Sequence, residues 1–326
     1  MDEKNKEYKI KVAGEIIKPG QVKQIEIPVA RLPTQTLICL PVTVINGLEK
    51  GARLWVNAAI HGDEINGVEI IRQVANHVNP RLLKGTLITV PIVNVFGFIE
   101  QSRYLPDRRD LNRCFPGSET GSLASRLANI FMREVVGKCT HGIDIHTAAI
   151  HRINLPQIRG NLDDPETMRI AKAFNSPIMI HATTRDGSLR QAASSEGIPT
   201  LLYEGGEALR FDQDAIAVGV RGIFRVMKTL GMYDNPVENG KEETSVRVNQ
   251  SKWLRASQSG IFQLRTKLGA KVEKKQLVGT ITDAFGNKTI AVKSNIEGIV
   301  ISHVQNPLVN QGDALIHIAM TPINPS

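Results

Sequence analysis

RLWVNAAIHGDEINGVEIIRQVANHV, residues 53–78, decides how the rest of the chain is read. Its first eight residues are a short apolar run of the kind a strand buried on both faces shows. INGVEIIRQVANHV then carries helical spacing, with the polar HGDE between the two. A strand, a polar turn and a helix make the repeating unit of α/β sheets. The alternation continues downstream. TLITVPIV (86–93) reads as a strand. SLASRLANIFMREVV (122–136) reads as an amphipathic helix with Ser122 or Ser125 near its start. GIDIH (142–146) is a short strand, PETMRIAKAF (165–174) a helix, and SPIMIH (176–181) and IPTLLYE (198–204) are strands. DAIAVGVRGIFRVMKTLG (214–231) is a long helix. The expected fold class is therefore α/β, with a largely parallel sheet covered on both faces.

Outward from this region the texture changes. Residues 1–50 alternate apolar and polar positions, as in YKIKVAG and VKQIEIPV, and predict short strands. DNPVENGKEETS (234–245) is polar, with Pro and Gly, and reads as a linker. Beyond it lie only short β segments and regular glycine turns (LGAKV, LVGTI, IEGIV, QGDALIHI). The expected organisation is an α/β domain over 1–233, a linker over 234–245 and a smaller all-β domain over 246–326.

At 326 residues, 41% hydrophobic and 22% charged, the chain is neither disordered nor collagen-like. Most of its net charge of +8 sits in residues 246–320, with ten Lys/Arg against four Asp/Glu. Those basic residues are scattered among strand-like segments with few aromatics. That favours a solvated surface over a nucleic-acid face. No apolar stretch reaches 18 residues, which argues against a membrane-spanning helix. MDEKNKEYKI lacks the apolar core of a signal peptide. Cys39, Cys114 and Cys139 cannot all pair within the chain and match no zinc–cysteine spacing. A cytoplasmic location is the expectation.

Chemistry first shows at His61-Gly62-Asp63-Glu64, where the buried run ends. A strand ending at His61 and a helix starting near Glu64 aim both side chains at the carboxyl edge of the sheet, where α/β proteins bind ligands. Imidazole and carboxylate suit Zn²⁺, which takes three protein ligands in catalytic sites. His-x-x-Glu alone is common, and acidic residues also favour helix N-termini. His146 repeats the position of His61 (apolar strand, then His, then loop) and supplies a third ligand. His151 and His181 are weaker rivals. His77, His141, His303 and His317 read as surface or structural residues. The polar loop Arg103–Gly117 carries four arginines with Asp110 and Asn112. An Asn–Arg pair can clamp a carboxylate, and an Asp can accept the outer N–H of a metal-bound histidine. Glu204 ends an apolar strand at the same sheet edge, placed as a general base. Glu207 is the alternative.

Taken together, HGDE (61–64), DLNRCFPG (110–117), DIHT (144–147) and LLYEGG (201–206) resemble, in order, the motifs of the succinylglutamate desuccinylase/aspartoacylase family. That family is a branch of the zinc carboxypeptidase-like hydrolases. The resemblance implies a mixed sheet covered by helices and one zinc per chain on His61, Glu64 and His146. It implies Glu204 as base and proton shuttle, Asp110 behind His61, and Asn112 with Arg113 on a substrate carboxylate. Arg103 is the match for an oxyanion-stabilising arginine, with Arg108 and Arg109 competing. Arg190 is the match for a second carboxylate-binding arginine. The implied substrate is a small N-acylated molecule bearing a carboxylate. Three rivals stand beside it: a zinc carboxypeptidase acting on peptides, deacylation or de-esterification of a different small molecule by the same machinery, and a non-catalytic binding protein on the same scaffold. Homo-oligomerisation is left open. Residues 246–320 resemble the barrel-sandwich of biotinyl and lipoyl domains, in AKVEKKQLVGTI and SNIEGIVISHV. Lys288 lies near the modified position but lacks the sequence around it, so the module is expected to be structural or a pocket lid.

Overall fold

A computed structural model of the protein describes residues 8–182, 186–234 and 245–320. The chain opens with β1 (Ile10–Val12), β2 (Glu15–Ile17), β3 (Val22–Arg31) and β4 (Leu37–Asn46). The deciding stretch gives β5 (Glu49–Ala58) and α1 (Asn66–His77), followed by β6 (Lys84–Val90) and the short α2 (Val95–Ile99). Short 3₁₀ turns span Leu111–Arg113 and Val136–Lys138, on either side of α3 (Leu123–Glu134). Then come β7 (His141–Ala148), β8 (Arg152–Gly160), α4 (Pro165–Phe174) and β9 (Ile178–His181). α5 (Leu189–Ser195), β10 (Thr200–Glu207) and α6 (Gln213–Thr229) follow.

The sheet is mixed rather than largely parallel. β6, β5, β7 and β10 run parallel in that order at its centre. β4 joins β6 and β8 joins β10, both antiparallel. Two apolar clusters lie on its two faces. One holds Trp55, Leu111, Phe115 and Phe131 under α3. The other holds Ile70, Ile145, Phe174, Tyr203 and Ile223 under α1, α4 and α6. Helix starts follow the sequence. Ser122, not Ser125, caps α3, its hydroxyl accepting from Ser125 N–H. Asp164 caps α4 with Pro165 in the first turn, and Asp212 caps α6.

The sequence reading did not separate β8, α2 and α5 as elements. The β elements beyond residue 245 are β11 (Val246–Val248), β12 (Ser251–Arg255), β13 (Gly260–Leu264), β14 (Lys271–Val272) and β15 (Leu277–Thr282). β16 (Thr289–Lys293), β17 (Gly298–Val304), β18 (Leu308–Val309) and β19 (Ala314–Ala319) complete them. β13, β15, β16 and β18 form a separate four-stranded sheet. β12, β19 and β17 instead continue the large sheet, through antiparallel pairing of β17 with β8. Phe262, Val278, Ile281, Val300 and Ile316 fill the space between the two layers. Residues 235–244 of the expected linker lie outside the described residues. No helix among the described residues is long and apolar enough to cross a membrane.

Candidate metal centre and active-site cavity

Two glycines set the HGDE turn. A Cβ on Gly62 would fall 1.9 Å from the Gly97 carbonyl carbon of α2, and one on Gly67 2.5 Å from Ala58 Cβ. Only glycine lets the turn press on α2 and the first turn of α1 press on β5. His61 lies three residues past the end of β5, and its carbonyl accepts from Glu64 N–H at 3.1 Å. His61 and Glu64 are thereby held in one tight turn at the carboxyl edge of the parallel strands.

His146 comes from β7, which runs on to Ala148. His146 is in register with Glu204 on β10, and Glu204 in turn with Gln157 on β8. Neighbouring strands lie about 4.8 Å apart, so register partners share a face. Glu204 is thus placed beside His146 by sheet register, inside β10 rather than at its end.

The three candidate ligands meet. Their ligand atoms lie within 4.8 Å of one another, and all three residues are buried. His61 Nδ1 is 2.7 Å from Glu64 Oε1, and His146 Nδ1 is 2.7 Å from Glu64 Oε2. The outer nitrogens also meet carboxylates. His61 Nε2 is 3.2 Å from Asp110 Oδ1, and His146 Nε2 is 2.9 Å from Asp144 Oδ2. Thr147 N–H donates to Glu64 Oε2 at 3.1 Å. Arg103 donates to Asp110 Oδ2 through Nη2 at 2.9 Å and to Glu64 Oε1 through Nη1 at 3.4 Å.

The charges test the donor set. Burial alone would raise the Glu64 carboxyl, but His61 and His146 hold it well below its ordinary range. Burial would lower both imidazoles. For His61, Glu64 and Asp110 reverse this, and for His146, Asp144 and Glu64 do so more strongly. All four imidazole nitrogens therefore face carboxylate oxygens, which only accept. Without a cation, both Nδ1 atoms must carry protons to donate to Glu64. A divalent cation replaces two such protons, charge for charge. Two imidazoles and a carboxylate, with the outer nitrogens already held by Asp110 and Asp144, fit Zn²⁺.

The cluster opens into a cavity of about 780 Å³. Arg103, Asn112, Arg113, Arg190 and Glu204 all line it. Arg108 and Arg109 do not, which separates Arg103 from its competitors. Asp110 pairs with Arg103 and His61, not with Arg113. Asn112 Oδ1 accepts from Leu189 N–H at 2.9 Å, tying the DLNR turn to the start of α5. Arg190 follows there, buried, with Nη1 donating to Ala182 O at 2.8 Å. His151 and Glu207 stand apart from the cavity, where His151 N–H donates to Glu207 Oε1. His181 lines it.

Sequence reasoning missed several residues here. Asp144 is two residues before His146, so strand alternation puts both on one face. Asn57 donates to its other oxygen at 2.7 Å and is itself fixed by Trp55 Nε1–H at 2.9 Å. Arg152, Asn154 and Arg159 come from the overlooked β8. Ser251, Trp253, Ser302 and His317 come from the C-terminal strands. His317, expected at the surface or in a structural role, is 8% exposed and stacks on Trp253 at 4.5 Å. Arg152 covers the same indole at 5.1 Å.

The catalytic-domain family succinylglutamate desuccinylase/aspartoacylase matches residues 50–230, which contain all four motifs. The chain belongs to this family. An N-alpha-acetyl-L-2,4-diaminobutyric acid deacetylase from Halomonas elongata is 24% identical over 295 residues, covering 86% of each chain. Among solved structures, a succinylglutamate desuccinylase/aspartoacylase from Rhodobacter sphaeroides superposes with a TM-score of 0.82 at 24% identity. It covers 93% of this chain and 96% of its own. The product-bound ectoine utilization protein EutE (DoeB) from Ruegeria pomeroyi also gives 0.82, at 22% identity over 92% and 95%. These likenesses extend the desuccinylase/aspartoacylase fold over nearly the whole chain, the C-terminal strands included.

Proposed function

We propose that the protein is a zinc-dependent deacylase that cleaves the amide bond of an N-acyl amino acid or a similarly small carboxylate-bearing substrate. One observation carries this reading. A His61–Glu64–His146 donor set, a carboxylate in register beside it and several arginines share one cavity. The family and its deacetylase relative point the same way.

Zn²⁺ on His61, Glu64 and His146 supplies Lewis acidity towards water and the scissile carbonyl. Asp110 and Asp144 hold the two imidazoles in the tautomer that leaves Nδ1 free to ligate. Glu204 takes a proton from the attacking water and passes it to the leaving amine. Arg103, a cation beside Glu64, faces the charge that develops on the carbonyl oxygen. Asn112, Arg113 and Arg190, joined through Leu189, receive the substrate carboxylate. The cavity is of small-ligand size. Its far wall is built by the C-terminal strands, which favours a small substrate over a peptide lying in an open groove. No ligand and no base is lost, which disfavours a non-catalytic scaffold. The same division into 1–233 and 246–326 then describes a catalytic part and a wall-forming part.

The test is amine release from a panel of N-acyl amino acids by zinc-loaded and chelator-stripped protein. Turnover of at least one acyl class, abolished by stripping and restored by zinc, is expected. A silent panel at one zinc per chain, or turnover indifferent to the chelator, overturns the proposal.

A further inference from the structure

Glu204 is held from β8. Asn154 Nδ2 donates to its Oε2 at 2.6 Å, and Arg159 Nε stands 3.5 Å from its Oε1. Asn154 is 7% exposed and in register with Gly206 of β10 on one side and Ser302 of β17 on the other. The β10 register shifts between Glu204 and Gly206, so the backbone beside the base is irregular. Arg159 Nε is buried and makes no hydrogen bond.

These contacts set two fates for one carboxylate. A guanidinium prefers to fork onto both oxygens of a carboxylate. A Glu204 so paired would keep its charge locked on Arg159 and be a poor acceptor for a proton from water. Asn154 occupies Oε2 with a neutral donor. That leaves Arg159 only the distant approach to Oε1. The side chain is also fixed before substrate arrives, which is the precondition for a well-oriented base.

We infer that Asn154 is a positioning residue for Glu204, holding its carboxylate out of a closed ion pair with Arg159. This rests on the proposed role of Glu204 as base. It also gives the C-terminal strands a part in the chemistry, because β17 pairs with β8 at Asn154 itself.

The experiment is a double-mutant cycle in steady-state kinetics, on whichever N-acyl amino acid the wild type hydrolyses. Asn154→Ala is expected to lower kcat about 10–100-fold and leave KM within about threefold, with zinc content unchanged. Asn154→Asp, nearly isosteric but without the donor, is expected to lose as much or more. In a Glu204→Gln background neither change should cost more than about twofold, since the group they act on is gone. Arg159→Gln added to Asn154→Ala is expected to regain part of kcat, because the competing partner is removed. Asn154→Asp with wild-type kcat overturns the inference, as does an equal loss in the native and Glu204→Gln backgrounds. A wild type inert on the whole panel instead overturns the proposed function.

Discussion

Asp144→Asn should weaken zinc binding at the proposed centre by inverting a tautomer. Asp144 is fully buried, with one oxygen taken by Asn57 Nδ2–H at 2.7 Å and the other by His146 Nε2 at 2.9 Å. Asn57 cannot turn over, because its Oδ1 accepts from Trp55 at 2.9 Å. An asparagine at 144 must therefore present its carbonyl to Asn57 and its NH₂ to His146. His146 Nε2 then becomes an acceptor, and the proton moves to Nδ1, the nitrogen that faces Glu64 and the metal position. Outer partners of metal-bound histidines are worth about 10–100-fold in affinity, or about 1.4–2.8 kcal/mol. The upper end is expected, because the substitution reverses the hydrogen bond rather than deleting it. Asp144→Ala, which frees the ring to choose its tautomer, should cost less. Zinc affinity is measured by competition with a chromophoric chelator, with elemental analysis as a check. Affinity within twofold of wild type in Asp144→Asn, or a larger loss in Asp144→Ala, refutes the tautomer argument.

Three further outcomes are expected. Glu204→Ala should keep zinc and fold but lose about 10²–10⁴ in turnover, and a loss under about fivefold in steady-state assays removes it as the base. Arg113→Lys should raise KM for an N-acyl amino acid but do little to the weak turnover of its carboxyl-amidated analogue. Equal effects on both substrates would make the arginine structural. Burial, with Arg159 and Arg152 nearby, pushes the His317 imidazole down to about 3. Below its ordinary 6.5 the unfolded chain takes up a proton that the folded chain refuses, so stability falls as pH drops through this window. That costs about 2 kcal/mol between pH 6.5 and 5. His317→Gln should remove this slope in urea melts across that range, and an unchanged slope would contradict the assignment.

What the sequence made legible follows from what was local. The strand–turn–helix at 53–78 and the four motifs needed only short-range patterns, and their residues meet in one cavity. Strand alternation places Asp144 on the face of His146, but an acidic residue two positions before a strand histidine carries no sign of its own that it holds the ring. β8 was hidden by Pro156 and Gln157, which interrupt its apolar pattern, and with it went Arg152, Asn154 and Arg159. Trp253 and His317 reach the cavity only because β12, β19 and β17 pair onward from β8, and such long-range pairing leaves no local trace. The contest between Arg103, Arg108 and Arg109 turned on the path of a loop, which spacing alone does not specify.

Hydrogen bonding runs unbroken across the large sheet from β3 to β12, passing β8 and β17 on the way. A lid hinged on its own linker can swing and leave the rest intact, but a run of strands zipped into the same ladder cannot. Cutting the chain before Val246 would take β17 from β8 and β11 from β9 and lay bare a long, partly apolar edge, the kind of surface that recruits other chains. The C-terminal strands are thus a fixed rampart of the cavity. On the proposed function, substrate and product would come and go past the loops around that wall.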